Sequence, residues 1–355
     1  MQKRSNSMHK FNYLFLKDYK VVSKLIGLSN VIYESNHKSQ DLSKKYPDVF
    51  TRLHEKAVID STISSSRIEG VWTSPKREKE LLTGYSAPLN HSEQEISGYR
   101  DAIIFISDHY DEIDISEATI RHLHSLLMYY SQDRKGDYKK FDNQISVTYA
   151  DGSKKILFEP VPASEVETAM KQLILAYNEA VNDSDINKML LIPCFITDFL
   201  AIHPFQDGNG RISRLLTLLL LYKHGYVIGK YVSYEKMIEE YKENYYQELY
   251  RSQNEWHENT NDYSFFIVFH FQMLYRCYMK MNERFDDILH DPKITKTERI
   301  RNKIFNSLIP LSKKDIAGSL PDISLTTIEK VLSDLLKEEK IKKIGTYKNA
   351  RYIKR

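Results

Sequence analysis

Two apolar segments joined by a short polar turn constrain this 355-residue chain more than any other feature. Between Asn187 and Ala201 the residues Met189, Ile192, Ile196, Phe199 and Leu200 recur on one face at helical spacing, with Pro193 near a first turn or at a kink. From Arg211 to Tyr222 the chain is apolar nearly all round, which predicts a helix buried at the centre of a bundle. Glycine (12) and proline (10) are scarce, so most of the chain is expected to be regular structure, mainly helical.

The turn joining the two helices runs His203-Pro204-Phe205-Gln206-Asp207-Gly208-Asn209-Gly210-Arg211-Ile212-Ser213-Arg214. His203 offers an imidazole that accepts a proton near neutral pH, and Asp207 a carboxylate suited to a hard cation. Gly208 and Gly210 let the backbone approach a ligand, and successive N–H groups at a helix start form an anion nest. Arg211 and Arg214, three apart on the first turn, can face one polyanion. Singly, each element fits a bland reading: Gly-Asn-Gly as a common turn, Asp207 as an N-cap, His203 as a loop side chain. Together, base, cation ligand, nest and paired arginines describe a site for phosphoryl or nucleotidyl transfer.

These twelve residues resemble the Fic signature H-P-F-x-D-G-N-G-R-x-x-R without a mismatch at its defined positions. The resemblance implies a protein adenylyltransferase that moves AMP from Mg·ATP to a Ser, Thr or Tyr hydroxyl of a target protein. His203 is then the general base and Asp207 the Mg²⁺ ligand. Asn209 and the amides of Gly208, Gly210 and Arg211 cradle the phosphates, Arg211 meets the β-phosphate and Arg214 the γ-phosphate, while Phe205 plugs the loop into the core. More loosely, Gly136-Asp137-Tyr138-Lys139 with Asn143 and Ile145 resembles the target-docking flap, although many relatives carry Arg where Lys139 stands. Tyr245-Tyr246-x-x-Leu249 resembles the adenine border, which adds Tyr246 and Asn254 to the nucleotide contacts. Upstream, Ser65-Ser66-Arg67-Ile68-Glu69-Gly70 fits the family's inhibitory pattern, in which Glu69 pairs with Arg214 and denies it to the γ-phosphate. As a local pattern the same residues also fit an ordinary capped helix end.

The remaining readings concern organisation. Asn143 to Phe158, β-branched around Asp151-Gly152, predicts a hairpin, and Ser164 with Glu167 has capping-box spacing for the helix that follows. Lys293 to Arg355 carries 16 Lys+Arg against 7 Asp+Glu, so a basic unit follows an acidic body. Its order, helices at Ile300/Ile304/Leu308, Lys313–Gly318 and Ser324–Lys337 and then a hairpin, is that of a winged helix-turn-helix. The expected architecture is thus mainly α: an N-terminal helical region with the inhibitory helix (1–85), a Fic-type bundle with a β-hairpin flap (86–288), and a small winged-helix domain (293–355). No stretch reaches membrane-span length, and Cys194 and Cys277 lack disulfide or zinc spacing, which leads to a cytoplasmic expectation without membrane partners. Open alternatives are AMP removal by the same site, a DNA-binding regulator with a nucleotide-sensing core, self-modification, and a homodimer.

Overall fold

The computed structural model describes residues 9–20, 23–82, 86–131, 135–148, 153–289, 295–305, 307, 310–345 and 350–355. In order, these residues form α1 (Ser23–Lys45), α2 (Pro47–Ile68), α3 (Pro75–Leu82), α4 (His91–His109), α5 (Glu117–Leu127), β1 (Ile145–Thr148), β2 (Lys154–Phe158), α6 (Val166–Asn182), α7 (Lys188–Ile202), α8 (Asn209–Lys223), α9 (Tyr234–Glu240), α10 (Lys242–Gln253) and α11 (Ser264–Leu289). They continue through α12 (Lys296–Phe305), β3 (Leu311–Ser312), α13 (Lys313–Ser319), α14 (Leu325–Lys337), β4 (Ile341–Ile344) and β5 (Arg351–Lys354). The fold is mainly α, as expected.

By packing, the chain divides into two compact units: Met1–Ile32 with Ala57–Cys277, and Tyr33–Lys56 with Tyr278–Arg355. The sequence limits at 85 and 288–293 follow composition instead, and α1, α2 and α11 each supply residues to both units. Residues 290–294, at the expected boundary, lie outside the described residues.

In the first unit α7 and α8 form the centre. The Asn187 side chain caps α7 by accepting from the Met189 N–H at 2.9 Å. Pro193 lies inside the helix, and Met189 through Ile202 are all buried. Leu215, Leu216 and Leu218 to Leu221 of α8 are fully buried, each contributing about 2 kcal/mol of burial. α7 packs against α6 and α8, and α4 and α5 pack on α8 from the other direction. α4 crosses α5 at Gly98, where an added Cβ would run into the carbonyl oxygen of Leu127.

β1 and β2 pair antiparallel, Ile145 opposite Phe158 and Ser146 opposite Ile156, with a register irregularity between Ile145 and Ser146. The Asp151-Gly152 turn lies outside the described residues. The capping box expected at Ser164 is absent: a short 3₁₀ turn, Ala163–Glu165, precedes α6, and no side chain caps the helix start. The Asp142 carboxylate accepts from the Ala163 N–H instead, at 2.7 Å.

In the second unit β3, β5 and β4 form an antiparallel sheet in that order. α13 opens with a capping box between Ser312 and Asp315, and Ser324 caps α14. Ile300, Ile304, Ile316, Leu320, Ile328 and Leu332 build the core, and the buried Arg299 guanidinium pairs with Asp48 at 2.8 Å and Asp322 at 2.6 Å. Leu308 and residues 346–349 of the expected hairpin lie outside the described residues.

The α4–α5 crossing is tight enough to test. Gly98→Ala is expected to lower stability by about 1–3 kcal/mol, since the clash is with backbone that cannot rotate away; thermal unfolding against wild type measures it, and an unchanged melting temperature would mean that the crossing is looser than described.

Candidate active site

The last turn of α7 ends in an unusual residue. His203 has φ 53° and ψ 61°, the left-handed region, and closes the helix with its N–H donating to the Phe199 carbonyl at 3.0 Å. A non-glycine residue held there is a local strain that the surrounding packing must hold in place. The Leu200 carbonyl can only accept, so its 3.4 Å contact with Nδ1 puts the proton on that nitrogen and leaves Nε2 as the basic one. Burial, followed by the nearby Lys139 ammonium, pushes the imidazole down to about 4.

From His203 the loop turns sharply to enter α8. Gly208 takes φ 81° at the N-cap, a conformation that favours glycine. Asp207 Oδ1 accepts from the Gly208 N–H at 2.6 Å, and Oδ2 accepts from Arg211 Nη2 at 3.1 Å. Its carboxylate is otherwise largely exposed. One such carboxylate beside an anion nest fits Mg²⁺, which is usually held by one or two carboxylates plus substrate phosphates; among the described residues no group of three or more metal-ligating side chains forms a cage.

Asn209 turns its side chain onto the loop itself. Its Nδ2 donates to the Phe205 carbonyl at 2.8 Å and its Oδ1 accepts from the Phe205 N–H at 2.9 Å. Both amide atoms thus brace the loop, one hydrogen bond each, and hold its backbone in a fixed shape. Phe205 is fully buried, in keeping with a plug.

The two arginines are buried and already engaged. Arg214 donates through Nε to Ser65 Oγ at 2.9 Å and through Nη2 to the Ser65 carbonyl at 3.1 Å and Glu69 Oε1 at 2.8 Å. Glu69 lies just past the end of α2, where Gly70 at φ 79° terminates the helix. The helix-end reading and the pairing with Arg214 therefore hold together. A Cβ added at Gly210 would run into Glu69 Oε1, so the carboxylate lies directly over the nest. Arg211 donates through Nη1 to Glu95 Oε2 at 2.6 Å; burial pushes the Glu95 carboxyl up against the pull of Arg211.

These groups line one cleft of about 530 Å³, with Glu69, His203, Asp207, Arg211 and Arg214 on its polar side. Ile145, Phe158, Tyr246, Leu249 and Gln253 close the apolar side. Asn254, expected beside the base, is exposed at the end of α10 and is not among the lining residues; its neighbour Gln253 takes that place. One residue along a helix is a rotation of about 100°, enough to exchange the lining residue. A groove of about 550 Å³ between Tyr19, Tyr241, Phe265 and Arg276 holds none of the signature residues.

The flap residues meet the loop from the side. Lys139 is buried, donates its backbone N–H to the Pro204 carbonyl at 2.8 Å, and donates through Nζ to Asn143 Oδ1 at 2.8 Å and the Ile202 carbonyl at 3.3 Å. Burial pushes its ammonium down to about 8. Asn143 thus braces the loop as well as entering β1, while Ile145 reaches the cleft.

Sequence reasoning overlooked three residues: Glu95, Gln253 and His124. The His124 ring stacks on Phe205 at 3.9 Å, accepts at Nδ1 from the Gly136 N–H at 2.9 Å, and donates from Nε2 to the Asp207 carbonyl at 3.2 Å. It pins the flap's approach to the loop carrying Asp207, and burial holds it neutral, pushed down to about 4. A signal existed: His124 interrupts the apolar stripe Ile120, Leu123, Leu127 on α5.

Fold and site together define a helical scaffold built on a glycine-rich loop that opens a buried helix. Residues 114–221 match the Fic/DOC family, whose members generally carry out AMP transfer or related nucleotidyl transfer. That stretch of the chain is thus similar to a Fic domain. A Fic family protein of Desulfovibrio desulfuricans G20 superposes with a TM-score of 0.63 at 20% identity, covering 95% of this chain and 97% of its own. A Fic domain containing signaling protein of Bacteroides thetaiotaomicron VPI-5482 gives 0.61 at 23%, covering 72% and 97%. Both show likeness of fold. Among curated relatives, a ribonucleoside-diphosphate reductase small chain of Ostreid herpesvirus 1 is 33% identical over 113 residues, 30% of this chain. A Fido domain-containing protein of Dictyostelium discoideum is 33% identical over 61 residues, 17% of this chain. The matched stretches span 19% and 43% of those relatives' own lengths.

The protonation of His203 is directly measurable. Since its pKa lies below the ordinary value of 6.5, the imidazole stays neutral at pH 7 and its burial contributes stability that is lost as pH falls from about 6.5 toward about 4. An NMR titration of the His203 ring is expected to show a midpoint near 4; a midpoint near 6.5 would mean that the ring is open to water.

Proposed function

We propose that the chain is a protein adenylyltransferase, transferring AMP from Mg·ATP to a Ser, Thr or Tyr hydroxyl of a target protein and restrained by Glu69. The observation that carries this reading is the convergence of His203, Asp207, Gly208–Arg211 and Arg214 on one cleft. The α-phosphate lies between His203 and the nest, with the N–H groups at the start of α8 directed at the phosphates. His203 Nε2 takes the proton from the target hydroxyl as its oxygen bonds to the α-phosphorus. The bond from that phosphorus to the bridging oxygen breaks, and pyrophosphate leaves. Asp207 would hold Mg²⁺, which when bound would supply charge neutralisation at the phosphates. Arg211 binds the β-phosphate and Arg214, once free, the γ-phosphate.

The restraint follows from the same contacts. Glu69 occupies Arg214 at 2.8 Å and covers Gly210, so an incoming triphosphate meets a carboxylate where it needs cations and amides. AMP removal is the favoured alternative on one observation, that Glu69 shares the cleft with His203 and can orient a water there.

The second unit is read as a winged helix-turn-helix. Its exposed Lys342, Lys343, Arg351 and Lys354 lie on β4 and β5, whereas α14 exposes Glu329 and Asp334 beside Lys330 and Lys337. A regulator reading duplex DNA through α14 draws little support from so balanced a face.

Intact-mass analysis after incubation with Mg·ATP tests the reading. Glu69→Gly is expected to raise AMP incorporation, into the chain itself or an added target, about tenfold or more, and His203→Ala in that background to abolish it. ATP binding without any AMP adduct in Glu69→Gly would leave a nucleotide sensor and remove the transferase.

A further inference from the structure

Arg211 is 2% exposed and carries two carboxylates on its fork: Glu95 on Nη1 at 2.6 Å and Asp207 on Nη2 at 3.1 Å. Its Nε is buried without a hydrogen-bond partner among the described residues. A buried guanidinium N–H left without an acceptor is destabilising, so its persistence calls for an explanation. The two carboxylates also differ. The Glu95 side chain is 7% exposed and held on α4, whereas that of Asp207 is 60% exposed and faces the cleft from the loop.

Resting on the transferase reading above, we propose that Glu95 is a positioning residue for nucleotide binding: it anchors Arg211 by Nη1 and so presents the opposite edge, Nη2 and Nε, to the β-phosphate. Asp207 occupies Nη2 until a nucleotide arrives and then turns its carboxylate into the cleft, while Glu95 keeps hold throughout. α4 fixes the anchor, since its next turn carries Gly98, which seats the helix against the Leu127 backbone. The other charged groups near Glu95 are His91, whose Nε2 lies 2.7 Å from Oε1, and the Glu69 carboxylate.

The sign of the effect separates positioning from simple charge. Removing a carboxylate beside a polyanion site would by itself tighten phosphate binding. Loss of an anchor does the reverse, because Arg211 is free to settle on Asp207 alone.

Isothermal titration of the full chain with ADP and with AMP, each with and without Mg²⁺, reads this out apart from turnover. With Glu95→Gln, ADP is expected to bind about tenfold more weakly, while AMP, which lacks the β-phosphate, stays within about twofold. In an Arg211→Ala background the Glu95→Gln effect on ADP is expected to vanish, as it must if Glu95 acts only through that arginine. Glu95→Asp, which keeps the charge but shortens the reach, provides the same comparison should the glutamine variant fold poorly. Unchanged or tighter ADP binding in a folded variant, or an equal loss for AMP and ADP, overturns the proposal while leaving the transferase reading standing. Wild-type protein that binds neither nucleotide removes both.

Discussion

A helix buried on every side must begin inside the protein, and that constraint organises the rest of the structure. The first N–H groups of such a helix have no partners within it and no water around them. At α8 the loop supplies what it can: Asp207 takes the Gly208 N–H, and Asn209 ties the loop's own backbone at Phe205 into a fixed shape. The positive end of the helix, with its glycines, is left open toward a cleft, which makes it a receptor for an anion. Phe205, His124 and Lys139 hold the loop from behind, each through a contact to ring or backbone.

The electrostatics of the cleft follow from the same burial. Arg211 and Arg214 sit where a guanidinium cannot stay unpaired, so carboxylates come to them in the nucleotide-free molecule. Glu95 and Asp207 share the first, and Glu69 takes the second. A triphosphate competes for the same donors with more charge and more oxygens. The partners differ in how they are held: Glu69 stands just past a helix end, Asp207 on a loop with its side chain largely exposed, and Glu95 within a packed helix. This ranking predicts which would yield to a bound polyanion, and it links the Glu69–Arg214 contact and the start of α8 through geometry rather than distance.

Much of this was legible in the sequence because it was local. The signature loop and the apolar helices beside it depend on residue order and on a motif of twelve positions, whereas the pairing of Glu69 with Arg214, 145 residues apart, was implied only by the family's inhibitory pattern. The two-stranded hairpin and the helices of the basic C-terminal segment also read correctly from turn residues and caps. What stayed hidden was long-range or rotational. Glu95 and His124 act through partners 116 and 83 residues away, and nothing in their neighbourhoods names those partners. Gln253 and Asn254 differ by a single helical step, which pattern alone does not fix. The phosphate role of Asn209 was implied by the family signature alone, and its bracing of Phe205 is a contact that residue order does not announce. The Ser164 capping box was undone by Asp142, which reaches the same helix start from outside the local sequence.

The central claim is that a nucleoside triphosphate lies across the start of α8, with its phosphates on the amides of Gly208 to Arg211. A crystal structure of Glu69→Gly with Mg²⁺ and a non-hydrolysable ATP analogue tests it most directly. The account predicts phosphate oxygens within hydrogen-bond distance of those amides and of both Arg211 and Arg214, with His203 facing the α-phosphorus. A nucleotide bound elsewhere, or phosphates turned away from the helix start while His203 points to solvent, would contradict it.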